Sequence, residues 1–147
     1  MSHVRQQIRE RVVADLTADV TAVAGRVYDT QFYALRDGNL PGIAVYSPNE
    51  VIVSLSMGPS HITRNLTIFV DIYVAANTLA PGTSDAICAE IETSLGTDFT
   101  ANGLAKEMNL VATDSEYLDH SETKVVLTRM TFDVQYVTSR TDAETAR

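Results

Sequence analysis

The stretch that decides the fold is Ile62-Thr63-Arg64-Asn65-Leu66-Thr67-Ile68-Phe69-Val70-Asp71-Ile72-Tyr73-Val74. From Leu66 onward its even positions are all apolar, while its odd positions are mostly polar or amphipathic. Successive side chains of a strand point to opposite faces, so the stretch reads as a long half-buried strand with one core face and one wetter face. A second stretch answers it. Val126, Met130, Phe132, Val134 and Tyr136 share one parity, against Leu127, Arg129, Thr131, Asp133 and Gln135 on the other. Two long strands of the same character are natural sheet partners.

Outward from this pair, Val4, Ile8, Val12 and Leu16 recur every four residues and predict an amphipathic helix over about residues 2–17. Val20 and Val23 could extend it, with Gly25 as its stop. Arg26 to Asp29 reads as a short strand, and Leu40 to Tyr46 as a strand opened by Pro41. Ser47-Pro48-Asn49 breaks that strand, and Glu50 to Ser56 resumes it. Met57-Gly58-Pro59-Ser60-His61 is a loop leading into the central strand. After Asn77, Ala80 to Ser84 starts a second helix, capped by Thr83 or Ser84, with Ile87, Ile91 and Leu95 as its buried stripe and Gly96 as its end. A further strand is expected from about Glu107 to Tyr117, and Asp119 to Glu122 forms a hairpin tip. Residues 139–147 lack any apolar period and read as a flexible tail. The expected fold is α+β: an antiparallel or mixed sheet of about four to five strands, with two main helices packed on one face. Residues 1–138 form one domain, in keeping with a chain of 147 residues.

Composition narrows the function classes. The chain is 45% hydrophobic and 20% charged, as ordinary globular proteins are. No apolar run reaches the ~18–20 residues of a membrane helix, and Met1 to Arg11 has no signal-peptide core. The net charge of −8 is concentrated after Asn65, where Lys106 is the only base as far as Thr123. Such a chain has no footprint for gripping nucleic acid phosphates.

The chemistry-bearing patterns are sparse. Neither phosphate-binding glycine motif occurs, nor a G-x-S-x-G elbow. His3, His61 and His120 are scattered, and the single Cys88 excludes a multi-cysteine metal site. Asp114, Glu116, Asp119 and Glu122 around His120 read as a solvated hairpin end rather than a cation site. Asp71 and Asp133 lie on the wetter faces of the two long strands. A close carboxylate pair there would raise one pKa; a solvated face or subunit seam is the simpler reading. Cys88 reads as a small buried apolar residue. No cofactor is expected.

The order of elements, with Arg26-Val27-Tyr28, Leu40-Pro41-x-Ile43-x-Val45-Tyr46 and the closing Thr131-Phe132-Asp133-Val134-Gln135-Tyr136, resembles the tail terminator proteins of long-tailed phages, the lambda minor tail protein U type, and their relatives in phage-like particles. The resemblance spans about residues 4–138. It implies a structural virion protein made in the host cytoplasm. Six copies would close into a ring at the head-proximal end of the tail, cap the tail tube and stop its polymerisation. The ring would also offer the surface for head-tail joining to a head-completion or neck protein. It implies no catalysis, and no membrane. Under it, Met57, Gly58, Pro59, Ser60 and His61 are the expected tube- or partner-contacting loop. Asp114, Glu116, Asp119 and Glu122 are an expected acidic channel or rim past which DNA slides without specific binding. Phe69, Asp71 and Tyr73 are an expected subunit seam. The competing readings are a head-side neck or tail-completion protein, and, from another class, a small α+β enzyme or ligand-binding protein.

Overall fold

A computed structural model describes residues 2–29, 40–55, 60–76, 80–120 and 123–147. Helix α1 spans Val4–Asp19, and strands β1 and β2 span Val27–Tyr28 and Gly42–Leu55. Strand β3 (His61–Ala75) precedes helix α2 (Ala80–Thr97), and β4 (Glu107–His120), β5 (Thr123–Ser139) and β6 (Asp142–Ala146) complete the chain. The fold is α+β, with a six-stranded mixed sheet in the order β1-β2-β3-β5-β4 and β6 paired to β5. Among the described residues only the β1–β2 pairing is parallel.

The two long alternating strands are neighbours. β3 and β5 pair antiparallel without a register shift from His61↔Ser139 to Ala75↔Val125. Their even positions face the helices, so Leu66, Ile68, Val70, Ile72 and Val74 join Met130, Phe132, Val134 and Tyr136 in one core. Val4, Ile8, Val12 and Leu16 of α1 and Ile87, Ile91 and Leu95 of α2 close over it. The spacing of four residues puts each set on one helix face, which is why these segments are helical here despite modest local signals. His3 caps α1, its Nδ1 accepting from the Arg5 N–H at 3.2 Å. Burial, then Arg5 and Arg64, hold the His3 pKa below its usual value, keeping that nitrogen available as an acceptor. The N–H of Val20 closes the helix on the Leu16 carbonyl at 3.0 Å. Gly25, at φ +80, serves the turn beyond the helix instead of ending it.

Several expectations change. Ser47-Pro48-Asn49 does not break the strand: β2 runs through it, and the extra residue is absorbed by a bulge between Tyr46 and Asn49. α2 begins at Ala80, so Thr83 and Ser84 lie inside its first turns, and Gly96 lies within it. The expected flexible tail instead forms β6, where backbone pairing joins Thr138 to Ala146 and Ser139 to Asp142. β6 occupies the edge of β5 that β4 leaves open beyond Glu107↔Gln135. The side chain of Gln7 ties α1 to it, donating to the Glu144 carbonyl at 2.8 Å. No helix among the described residues is long and apolar enough to cross a membrane.

Candidate functional site

The sheet has one face covered by helices and one that no helix covers among the described residues. On this second face the odd positions of β3 and β5 stand beside residues of β2 and β4 whose parity is reset by bulges. In β2 the bulge after Tyr46 puts Tyr46, Asn49 and Val51 on the same side, opposite Phe69, Thr67 and Asn65. In β4 the shift between Leu110 and Ala112 does the same for Asn109 and Asp114, opposite Asp133 and Arg129.

The centre of this face is a buried ion pair. Asp71 is fully buried, and its Oδ1 accepts from Arg129 Nε at 2.8 Å while Oδ2 accepts from Nη2 at 3.1 Å. Tyr46 Oη donates to Asp71 Oδ2 at 2.9 Å and accepts from Arg129 Nη2 at 2.8 Å. The guanidinium lies over the Phe69 ring, 4.5 Å from its centroid, and Tyr46 packs edge-on to that ring at 5.5 Å. The Asp71 hydrogen bonds raise the Arg129 pKa above its usual value, and burial raises that of the Tyr46 phenol. One charge is thus fixed by three neighbours, a positioned structural element.

Asp71 is therefore neither solvated nor a surface seam residue, and Tyr73 is also buried, in a small cluster with Ala44, Val125 and Leu127. Of the expected seam, Phe69 alone keeps partial exposure. Nor do Asp71 and Asp133 meet, because the register sets Asp71 opposite Arg129 and Asp133 opposite Thr67. Four residues of strand, roughly 13 Å, separate the two carboxylates along the sheet.

The expected acidic group is part of a broader surface. Asp114 and Glu116 are exposed on β4, opposite Arg129 and Leu127. They share the open face with Glu107 and Asp133, and Arg129 is the base set among them, already engaged by Asp71. Next to them a shallow groove of about 270 Å³ is lined by Val53, Asn65, Glu107, Asn109, Asp133 and Gln135, among others. The alternation of β5 pointed to Asp133. Glu107 was hidden because only the β4 bulge brings it to the face of Asp114. Asp119 lies in β4 by its backbone; its side chain, Glu122, and Met57, Gly58 and Pro59 of the expected loop lie outside the described residues. His61 opens β3 and Ser60 precedes it, the Arg140 N–H donating to the Ser60 carbonyl at 2.9 Å.

On the helix face, Glu50 joins Tyr136, whose hydroxyl donates to Oε1, to Arg64 at 3.0 Å and Arg5 at 3.3 Å. This ties the start of α1 to the sheet. Midway along that helix, Arg11 Nε meets Asp98 at 2.8 Å and Asp15 at 3.4 Å. Burial, and then the hydrogen bond with Asp98, push the Asp15 carboxyl up to about 7, while that bond holds Asp98 low. Cys88 is half-buried against the core, and burial raises its thiol to about 11. A thiol so protonated is a poor nucleophile. No group of three His, Cys, Asp or Glu that could hold a metal ion occurs among the described residues.

The two outermost long strands carry the remaining unusual feature. Val51, Ile52 and Val53 of β2 and Leu110, Val111 and Tyr117 of β4 are exposed, and Phe99 is the only other large exposed apolar residue among those described.

No family model matches the sequence, and no curated protein matches it. Among solved structures, the fold is similar to a chain from the virion of a native gene transfer agent particle, with a TM-score of 0.51 and 18% identity. The likeness covers 84% of this chain and 91% of that one, so the two share an architecture over nearly their whole lengths.

Proposed function

We propose that the protein is a non-enzymatic structural component of a phage-type particle, a ring-forming tail terminator. In this reading it sits at the head-proximal end of the tail, caps the tail tube, stops its polymerisation and presents the surface that joins the head. The observation that carries the reading is the likeness to a chain of a gene transfer agent virion across 91% of that chain. The order of elements and the Leu40-Pro41 and Thr131 to Tyr136 segments favour the terminator among virion roles.

The exposed part of the sheet face that no described helix covers supports it on physical grounds. Glu107, Asp114, Glu116 and Asp133 give that face a surplus of carboxylates, which repel DNA phosphates. A ring lined in this way lets DNA pass without retention. The buried Asp71–Arg129 pair and the Phe69 and Tyr46 rings stiffen the sheet beneath those acids.

The test is tube assembly in vitro. Purified protein added to polymerising tail tube protein should shorten the tubes and leave a ring visible at one end by electron microscopy. An unchanged length distribution with no bound ring contradicts the reading. Binding to the portal-side adaptor in place of the tube would assign the protein to the neck.

A further inference from the structure

We infer that copies of this chain join edge to edge, the free edge of β2 in one copy pairing with the free edge of β4 in the next to continue the sheet between subunits. The inference rests on the ring reading above and names the surfaces that would build the ring.

Both edges are open among the described residues. Among the described residues, β1 pairs β2 only at Ile43 and Ala44, leaving the outer side of β2 from Val45 to Leu55 without a strand. β4 pairs β5 on one side and, among the described residues, has no strand on the other. Open edges present unpaired backbone donors and acceptors, and proteins ordinarily blunt them with short strands, charged side chains, prolines or bulges. Here both strands are 14 residues long. Neither carries a lysine, the one proline, Pro48, precedes the apolar run of β2, and the bulges at Tyr46/Asn49 and Ile52/Ser54 in β2 and at Leu110/Ala112 in β4 do not end either strand, since its pairing resumes beyond each. Large exposed apolar side chains concentrate on these same strands, with Val51, Val53 and Val111 each more than half exposed. Exposed apolar residues gathered on two open edges mark an association surface.

The occupant is a second copy, and the pairing is between unlike edges. β2 runs antiparallel to β3, β3 to β5, and β5 to β4, so β2 and β4 point in opposite directions. Placing the next copy's β2 beside β4 in the same orientation therefore gives an antiparallel junction, and the alternation of the sheet continues unbroken. Pairing β4 with another β4 would crowd Asp114 and Glu116 of one copy against those of the other, and like charges across a ladder destabilise it. The β2 edge from Val51 to Leu55 is uncharged, Glu50 is held by Arg64, and the half-exposed Arg5 stands beside it. That edge accepts the acids of β4 without repulsion. Only the unlike pairing satisfies both edges, and such a head-to-tail contact closes into a ring when its rotation permits.

The test uses full-length chains in a Cys88→Ala background, carrying either Val53→Cys or Val111→Cys, and a short bis-maleimide cross-linker. Circular dichroism first verifies that each variant folds. The two variants mixed should give covalent dimers, each variant alone should give few, and the double variant should give a ladder ending in closed rings. Cross-links within one variant alone, or none in the mixture, overturn the edge pairing. Rings seen by native mass measurement without β2–β4 cross-links overturn it while leaving the ring reading intact. If neither rings nor cross-links form, even with tail tube protein present, both readings fall.

Discussion

Asp71 on β3 stands directly opposite Arg129 on β5, and the two share a two-point contact of 2.8 and 3.1 Å on the sheet face that no described helix covers. The carboxylate is fully buried, whereas the Arg129 side chain is 34% exposed. Removing the cation strands a charge in a low-dielectric setting. Arg129→Met should destabilise the fold by about 3 kcal/mol, the low end for a broken buried pair because Arg129 retains some solvent. Asp71→Asn combined with Arg129→Met should recover part of that loss. Urea unfolding of the wild type and the two variants checks this, and equal losses in the single and double variants would contradict it.

The odd–even alternation of β3 and β5 made the sheet centre and its core face legible, because each parity keeps its face along the whole unshifted ladder. The i, i+4 stripes of Val4 to Leu16 and of Ile87 to Leu95 likewise located the helices. The Asp71–Arg129 pair was not legible, since strand register depends on tertiary pairing and no local pattern in either strand sets it. Parity reasoning also fails across a bulge. One extra residue near Ser47-Pro48 and another near Val111 move Val51 and Glu107 to faces that simple alternation does not assign. β6 escaped notice because Asp142 to Ala146 is held chiefly by backbone bonds, which leave no apolar period.

Glu50 gives a second mutational test. Its carboxylate receives Tyr136, Arg64 and Arg5, and Tyr136 is fully buried. Tyr136→Phe keeps the ring in the core and removes one charge-assisted bond. The expected loss is about 1.5–3 kcal/mol by thermal or chemical unfolding. A loss below a few tenths would contradict the assigned bond.

Packing of α1 over the even face makes a contrasting pair of substitutions informative. Ile8→Ala should cost about 2–5 kcal/mol, as for other fully buried aliphatics. Val51→Ser, on the exposed edge, should change monomer stability by about 0.5 kcal/mol or less. Similar losses from both would contradict the assignment of core and surface.

Asp15 introduces a pH dependence of definite sign. Its folded pKa is about 7 against an ordinary 3.8, so between those values the folded chain holds a proton that the unfolded chain has lost. This contribution is present in acid and is lost as pH rises through about 7. His3, whose pKa is lowered, acts in the opposite sense, losing stability as pH falls through its folded value. Asp98, also lowered, does the same at more acid pH. The difference between wild type and Asp15→Asn isolates the first group, with unfolding free energies measured across this range. The variant should gain on the wild type as pH rises from 3.8 to about 7 and run parallel to it above, and curves parallel across that interval would contradict the shift.

The most direct test of the terminator function is the length of tails in particles made without this protein. Deleting its gene in the producing host and measuring tails by electron microscopy should yield overlong or aberrant tails that do not join heads. Tails of normal length on full particles would contradict the account.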